Sequence, residues 1–275
     1  MPLVFADIVH HPVSYKLGPL QFTGFGFAML MSFVIGQIIL QREMERRGQD
    51  PQPAGDMIFA AVIGGLLGAK IYYALLTQDL SSLTSRSGFV FWGGLIGGII
   101  AVTAVVVKKR LGIARMSDMA AVALPAAYSI GRTGCWAVGD DYGKPWNGPF
   151  AVSFPEGAPP STVANMQSAF GVHFPPGTPL NEVVSVHPTQ LYEVAMGAIM
   201  FFIILRVRKQ PHRDGWLFGL YCLLAGIERI IVEVFRAKDD RFFGAMTLAQ
   251  MIGLGFAVFG IAWMTARWKP VPAST

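Results

Sequence analysis

The chain has 275 residues, of which 53% are hydrophobic and 14% charged, and its formal net charge is +5. A soluble domain carries about 25% charged residues, so this composition excludes an ordinary soluble domain and indicates a membrane protein. The basic residues lie in short connections between apolar segments, which favours a role in membrane orientation over binding of nucleic acid.

Seven apolar segments are long enough to cross the hydrocarbon core as helices, which takes about 20 residues. Runs of this length and continuity do not fit the strands of a membrane barrel. We therefore predict an all-α membrane protein, a single transmembrane domain over residues 1–275. Its seven helices are Leu20–Leu40, Met57–Leu76, Phe89–Val107, Met119–Trp136, Leu191–Val207, Trp216–Phe235 and Met246–Met264.

The distribution of lysine and arginine predicts the orientation of these helices. Basic residues are concentrated in the first, third and fifth connections and in the tail, which includes Lys269. The second and fourth connections have one each, Arg86 and Lys144, and the sixth has a mixed group around Lys238. Because cytoplasmic loops carry the excess of basic residues, we expect the N-terminus outside and the C-terminus in the cytoplasm.

The fourth connection, residues 137–187, is long, rich in proline and glycine, and poor in charge. A structureless loop of this length is unusual unless it has a function. We expect a small extracytoplasmic cap between helices 4 and 5, with short strands such as Phe150–Phe154. The alternative interpretation is a tolerated linker.

Charged and polar residues interrupt the apolar segments or flank their ends. They include Lys70, Arg132, Asp140, His187, Gln190, Glu193, Glu228, Arg229, Glu233 and Arg236. Such residues are costly inside a bilayer and mark functional sites by default. The spacing i, i+4, i+7 places Arg229, Glu233 and Arg236 on one predicted helical face, and Gln190 shares a face with Glu193.

Several of these residues also have a structural explanation. Arg229 and Glu233 form an ion pair within one helix, Arg236 and Lys70 extend to the membrane surface, and His187 starts a helix. Taken together, however, they favour a buried anionic ligand. Phosphate fits best, because the planar guanidinium donates two parallel hydrogen bonds.

The third segment contains two pairs of glycines, in the run Trp92-Gly93-Gly94-Leu95-Ile96-Gly97-Gly98. Glycines at four-residue spacing allow close approach of two helices. The same pairs would leave room for a lipid head group, and both interpretations stay open.

Five blocks of sequence follow one another along the chain. They are Trp92-Gly93-Gly94-Leu95-Ile96-Gly97, Gly131-Arg132-x-Gly134, Gly139-Asp140, His187-Pro188-Thr189-Gln190-Leu191-Tyr192-Glu193, and Arg229-Ile-Ile-Val-Glu233-x-x-Arg236. Together they resemble the prolipoprotein diacylglyceryl transferase family, in order from about Leu20 to Met264.

The resemblance implies an enzyme that moves the diacylglyceryl group of phosphatidylglycerol onto the thiol of the lipobox cysteine in the signal peptide of a bacterial pre-lipoprotein. Glycerol phosphate leaves. It implies no metal and no soluble cofactor, and the two cysteines, Cys135 and Cys222, give no metal signature of their own. The expected location is the bacterial inner membrane, multi-pass, with the active site towards the outer leaflet.

The implied chemistry assigns roles to residues. A phosphate in a low-dielectric site needs cationic groups, so Arg132 and Arg229 are expected to clamp it, and Asp140 and His187 complete the expected catalytic set. The expected substrate-binding residues are Lys70, Trp92, Gly93, Gly94, Gly134, Gly139, Gln190, Glu193, Glu233 and Arg236.

The chain departs from the family pattern at several positions. A histidine that usually begins the His-Gly-Gly motif, and is a candidate base, is Trp92 here. Asn-Gly-Glu is Val138-Gly139-Asp140, Asn-Phe is Cys135-Trp136, an arginine is Lys70, and a tyrosine is Thr23.

Three interpretations therefore stay open. The first is a diacylglyceryl transferase whose base is dispensable or supplied by Asp140, Asp141 or His187. The second is a phospholipid-dependent transferase with another acceptor. The third is a non-enzymatic lipid-binding homologue, which the several intramembrane charges disfavour because buried charges without a ligand are costly.

Overall fold

The structure, a computed structural model, describes residues 8–18, 20–85, 88–237, 241–243 and 246–268. Arg86, Lys238 and Lys269, which enter the orientation prediction, lie outside the described residues. The α-helices of the described part are α1 Gly24–Arg46, α2 Pro53–Thr77, α3 Phe91–Lys108, α4 Ile113–Val138, α5 Val163–Phe170, α6 Thr189–Val207, α7 Trp216–Phe235 and α8 Leu248–Ala266, with a 3₁₀ helix at Leu80–Thr84.

Short strands accompany these helices, within a chain that is mostly helical, as predicted. They are β1 Ile8–Val9, β2 Ser14–Leu17, β3 Leu20–Thr23, β4 Val152–Ser153, β5 Ser185–Val186, β6 Arg241–Phe243 and β7 Met246–Thr247. None is longer than four residues. Most of them lie beside the ends of long helices or in the segment between α4 and α6, where backbone groups need partners that a helix does not supply.

Five helices are long and apolar enough to cross a membrane: α1, α2, α3, α6 and α8. α4 and α7 also have spanning length, 26 and 20 residues, but they carry the charged side chains described below. The chain is therefore mostly helical and has the helices of a multi-pass membrane protein. Two helices begin earlier than predicted, α2 at Pro53 and α4 at Ile113. Proline suits the start of α2, because its missing N–H is one that the first turn leaves unpaired.

The chain divides into two compact units. The first unit comprises residues 1–35 and 124–275, and the second unit comprises residues 36–123.

In the second unit, glycines bring α2 and α3 into close contact. A Cβ added at Gly64 would lie 2.6 Å from the carbonyl oxygen of Gly97, and one added at Gly68 would lie 2.9 Å from the Cα of Gly97. Gly93 is packed in the same way against Gly68. The structural interpretation of the glycine pairs, close helix approach, is confirmed.

In the first unit, α7 and α8 pack by the same device. A Cβ at Gly226 would lie 2.7 Å from the backbone nitrogen of Ala257, and one at Gly260 would lie 2.6 Å from that of Leu223.

The segment between α4 and α6 has its own small core. β4 pairs in parallel with β1 and antiparallel with β5. The core beneath this sheet consists of Tyr142, Val152, Phe154, Met166, Val186 and Ala237. The predicted strand Phe150–Phe154 is present but shorter, at Val152–Ser153.

Candidate functional site

The last turns of α4 carry an arginine whose side chain is mostly buried. The Arg132 side chain is 14% exposed. Its Nη1 donates to Asp141 Oδ2 at 3.0 Å and to Cys135 Sγ at 3.2 Å, and its Nη2 contacts the carboxylate of Glu193 on α6. Because the Glu193 side chain is only 2% exposed, this is a buried ion pair that would be costly to break.

A second arginine approaches Glu193 from α7. Arg229 Nη1 lies 4.0 Å from Glu193 Oε1, and Arg229 Nη2 lies 2.7 Å from Glu233 Oε2, one helical turn away. The predicted i, i+4 pair of Arg229 and Glu233 is therefore confirmed. Glu193 lies between Arg132 and Arg229, so the two predicted phosphate-clamp residues meet at one carboxylate.

The third arginine reaches this network from outside the helix. The Arg236 side chain lies beside Glu233, as the predicted shared face implies, but α7 ends at Phe235 and Arg236 itself is extended (φ −68°, ψ 144°). The backbone pairs instead with the loop after α4, where Lys144 N donates to the Phe235 carbonyl at 2.8 Å. Arg236 Nη2 donates to Asp141 Oδ1 at 3.0 Å, and its Nε lies 3.9 Å from Glu233 Oε2.

Asp141 thus bridges two arginines with its two carboxylate oxygens. Burial alone would raise the pKa of Asp141, but the guanidinium groups of Arg236 and Arg132 outweigh it and hold that pKa below its ordinary value. The residue adopts a left-handed backbone conformation (φ 57°), which aspartate tolerates better than most residues. From its sequence, Asp141 is expected only as an alternative base.

The neighbouring Asp140 has the opposite electrostatic character. Burial, and then the negative charge of Asp141, raise the pKa of Asp140 to about 6. Its Oδ1 is buried and has no hydrogen-bond partner among the described residues. Two adjacent carboxyl groups with pKa values displaced in opposite directions are typical of acid–base sites.

Two buried side chains at the start of α6 hold this loop. Gln190 Nε2 donates to the Asp140 carbonyl at 2.5 Å, and Thr189 Oγ1 donates to the Asp141 carbonyl at 2.6 Å. Gln190 and Glu193 both point inward as predicted, with 0% and 2% exposure. Gln190 Oε1 keeps a free acceptor position within the described chain.

The His187 side chain belongs to an aromatic cluster rather than to the arginine network. Its ring stacks on Trp146 with 4.3 Å between centroids, and its Nδ1 lies 3.1 Å from Tyr192 Oη. Burial, and then the charge of Lys144, lower the pKa of His187. Its ring is therefore neutral at neutral pH.

The predicted glycines of the first unit are packing positions. A Cβ at Gly134 would lie 3.0 Å from Ala28 Cβ on α1. Gly139 has φ 69°, and a Cβ there would lie 2.8 Å from the Phe154 ring. It ends α4 and lets the chain turn towards Asp140.

Four predicted site residues, Lys70, Trp92, Gly93 and Gly94, belong to the second unit. Lys70 Nζ donates to the Ser85 carbonyl at 2.6 Å and lies 4.5 Å from the Phe89 ring centroid. Trp92 is 39% exposed and packs edge-on against Phe91. Gly93 and Gly94 face α2.

Two residues with no role predicted from the sequence, Tyr128 and Glu228, join the network. Tyr128 Oη lies 3.1 Å from Glu193 Oε1 and 3.0 Å from Glu228 Oε1. Tyr128 precedes Arg132 by one helical turn, so the i, i+4 rule could have placed it on the same face. The spacing of Glu228 gave no such signal, because it is next to Arg229 in the sequence and the side chains of adjacent helical residues point in different directions.

One cluster has the geometry of a metal site, with ligand atoms of Cys135, Asp140 and Asp141 within 4.8 Å of one another. Arg132 already donates to Cys135 and Asp141. A guanidinium in this position opposes a second cation, and we assign no metal to the cluster.

Comparison with known proteins matches this chain to a family over most of its length. The family model described as prolipoprotein diacylglyceryl transferase matches residues 12–266. The chain is 31% identical over 270 residues to the phosphatidylglycerol–prolipoprotein diacylglyceryl transferase of Nitratidesulfovibrio vulgaris (strain DP4), covering 92% of each chain. It is 29% identical over 280 residues to that of Geobacter sulfurreducens, covering 95% of this chain and 97% of the relative. With that of Clostridium tetani it shares 27% over 258 residues, covering 91% and 95%.

Proposed function

Because this chain belongs to the prolipoprotein diacylglyceryl transferase family, we propose that it transfers the diacylglyceryl group of phosphatidylglycerol to the lipobox cysteine of bacterial pre-lipoproteins. The observation that carries this proposal is the meeting of Arg132 and Arg229 at one buried carboxylate, with Arg236 joined through Asp141. Three arginines in one network suit a ligand with an anionic phosphate.

The reaction breaks one bond and forms another. The acceptor thiol loses its proton, and its sulfur attacks the glyceryl carbon that carries the phosphate. The carbon–oxygen bond breaks, its electron pair stays on the phosphate oxygen, and glycerol phosphate leaves. The additional negative charge develops beside Arg132 and Arg229, where fixed cations in a low-dielectric site stabilise it most.

The other residues take supporting roles. Glu193 and Glu233 orient the two clamp arginines, and Arg236 fixes the loop that carries Asp140. Gln190, Gly134, Gly139 and the aromatic cluster of His187 shape the head-group region. Lys70, Trp92, Gly93 and Gly94 are kept as substrate-binding residues of the second unit.

We assign the thiol proton to Asp140. A free thiol has a pKa near 8.5, so a base is needed to make the reactive thiolate. An indole has no basic nitrogen, so Trp92 cannot serve. Asp141 is held by two arginines, whereas Asp140 has a pKa raised to about 6 and an oxygen without a partner in the described chain.

The membrane arrangement follows from the same proposal. Seven helices, α1 to α4 and α6 to α8, cross the bacterial inner membrane with the N-terminus outside, within a single transmembrane domain. Residues 137–187 form an extracytoplasmic cap, so the arginine network faces the outer leaflet. Phosphatidylglycerol enters from the bilayer, and the signal peptide presents its cysteine there.

The experiment is a transfer assay with purified protein. Phosphatidylglycerol and a synthetic lipobox peptide are mixed with the protein in detergent, and the mass of the peptide is measured by mass spectrometry. We expect diacylglyceryl-peptide, lost with Arg132→Ala and with a peptide whose cysteine is replaced by serine. Release of glycerol phosphate without this product would indicate another acceptor. Lipid binding with neither product nor release would indicate a non-enzymatic lipid-binding protein.

A further inference from the structure

A tyrosine hydroxyl joins two buried carboxyl groups behind the arginine pair. Tyr128 Oη lies 3.1 Å from Glu193 Oε1 and 3.0 Å from Glu228 Oε1. The three residues come from α4, α6 and α7, so the contact depends on the packing of three helices and not on spacing within one helix. Glu193 and Glu228 are 2% and 7% exposed, which excludes bulk water as their main partner.

Two linear hydrogen bonds along this chain of oxygens need two protons, one for each oxygen–oxygen contact. A tyrosine hydroxyl supplies one and can accept another. The second must come from a carboxyl group, because an ionised carboxylate only accepts. Glu193 contacts Arg132 and lies 4.0 Å from Arg229, whereas Glu228 forms no ion pair among the described residues. Glu228 therefore carries the second proton at rest.

A bound phosphate would compete with Glu193 for the same guanidinium groups. Both are anions, and two anions at one site repel each other unless one is protonated. The ion pairs of the resting network match three cations, Arg132, Arg229 and Arg236, with three anions, Glu193, Glu233 and Asp141. Asp140 forms no ion pair among the described residues. An additional anion upsets this balance at the residue that shares its partners, Glu193.

We propose that Tyr128 and Glu228 deliver a proton to Glu193 when the phosphate binds, so that Arg132 and Arg229 pass from Glu193 to the phosphate. The Tyr128 proton moves to Glu193 Oε1 while the Glu228 proton moves to Tyr128 Oη. Only O–H bonds break and form, and the number of protons is unchanged. The negative charge shifts to Glu228, farther from the ligand. Tyr128 and Glu228 are positioning residues, and the proposal rests on the proposed phosphate clamp.

The decisive variant is Glu228→Gln. Glutamine is close in shape to a protonated glutamate and its amide still donates to Tyr128, so the resting hydrogen bonds are kept. It cannot give up that proton. We expect the dissociation constant for phosphatidylglycerol, measured by displacement of a fluorescent analogue in detergent, to rise about ten- to a hundred-fold, the usual range for coupled sites. Diacylglycerol, which has the same chains and no phosphate, should bind both proteins equally.

Further variants separate proton movement from packing. Tyr128→Phe should weaken phosphatidylglycerol binding. The control is Tyr142→Phe, which removes a buried hydroxyl that donates to backbone carbonyls instead of carboxyl groups and should leave the binding unchanged. In a Glu193→Gln background the acceptor is already neutral, so adding Glu228→Gln should change nothing more. Unchanged affinity in Glu228→Gln, an equal loss for diacylglycerol, or an additive loss in the double variant would each overturn the proposal.

This binding assay needs no acceptor peptide, so it is independent of the transfer reaction. A wild-type protein that binds phosphatidylglycerol without making the thioether would refute the proposed function, and weaker binding by Glu228→Gln would still support the proton movement. Transfer by the wild type together with unchanged lipid affinity in Glu228→Gln would refute the proton movement alone.

Discussion

At the scale of single residues, the site depends on two adjacent aspartates with different surroundings. Asp140 and Asp141 are adjacent in sequence, yet Asp141 is held between Arg132 and Arg236 while Asp140 keeps an oxygen without a partner among the described residues. The same side chain is thereby a structural anion at one position and a candidate base at the next.

Asp140→Asn tests the assignment of the base. A carboxylate base must be ionised, so the single-turnover rate of the wild-type protein should rise with pH through about 6, the raised pKa of Asp140. In the variant this rise should be absent and the rate should fall by about 10² to 10⁴, the usual contribution of a positioned base. A wild-type pH profile retained by the variant would exclude Asp140.

Asp141→Asn tests the anion bridge through stability. The pKa of Asp141 is lower in the folded state than its ordinary value. Its pairing therefore stabilises the protein above the ordinary aspartate pKa and is lost as the pH falls through the lowered folded value. We expect the variant to unfold at a lower temperature than the wild type near neutral pH, with the difference closing at acid pH. Asparagine is chosen because it also tolerates a left-handed backbone. A gap that is independent of pH would contradict the bridge.

At the scale of elements, glycine determines which helices touch. Within the first unit, α7 and α8 approach where Gly219 and Gly226 face Gly260 and Gly253. These contacts are made by backbone atoms. Lipid is as apolar as the helix surfaces, so the hydrophobic effect does not hold two helices together in a membrane, and close van der Waals packing stabilises the pair instead.

Two substitutions on α8 separate packing from helix propensity. A Cβ at Gly260 would lie 2.6 Å from the Leu223 nitrogen, whereas one at Gly255 would have nothing within 4 Å. Gly260→Ala should therefore destabilise the protein by roughly 1 to 3 kcal/mol through overpacking. Gly255→Ala, which makes the same chemical change, should be neutral or slightly stabilising. Thermal unfolding in detergent measures both, and equal effects would show that α7 and α8 do not pack closely in solution.

At the scale of the whole molecule, the proposed topology places the 137–187 cap outside. In a protein whose native cysteines are replaced, Leu180→Cys in the cap should react with a membrane-impermeant thiol reagent in intact spheroplasts. Gln210→Cys, in the connection between α6 and α7, should react only after lysis. Both positions are exposed in the structure, Leu180 at 60%. The reverse pattern would invert the topology.

Much of this molecule could be predicted from local signals. Seven apolar runs correspond to α1 to α4 and α6 to α8, because hydrophobic length is a property of each segment alone. The pairing of Arg229 with Glu233 and the burial of Gln190 and Glu193 also follow from helical spacing. The glycine pairs of the third segment correctly indicated close helix packing.

Other features depend on contacts between segments that no local spacing contains. Arg236 leaves the helix because its backbone pairs with the loop around Gly143, and the Asp141 bridge exists only because α4 and α7 end beside that loop. The hydrogen-bonded chain from Glu193 through Tyr128 to Glu228 joins three helices. The sequence by itself therefore determined the segments, the family and the charged residues to suspect. Only the tertiary structure decided which charges neutralise each other, because ion pairing depends on distances of a few ångströms between residues up to about a hundred positions apart.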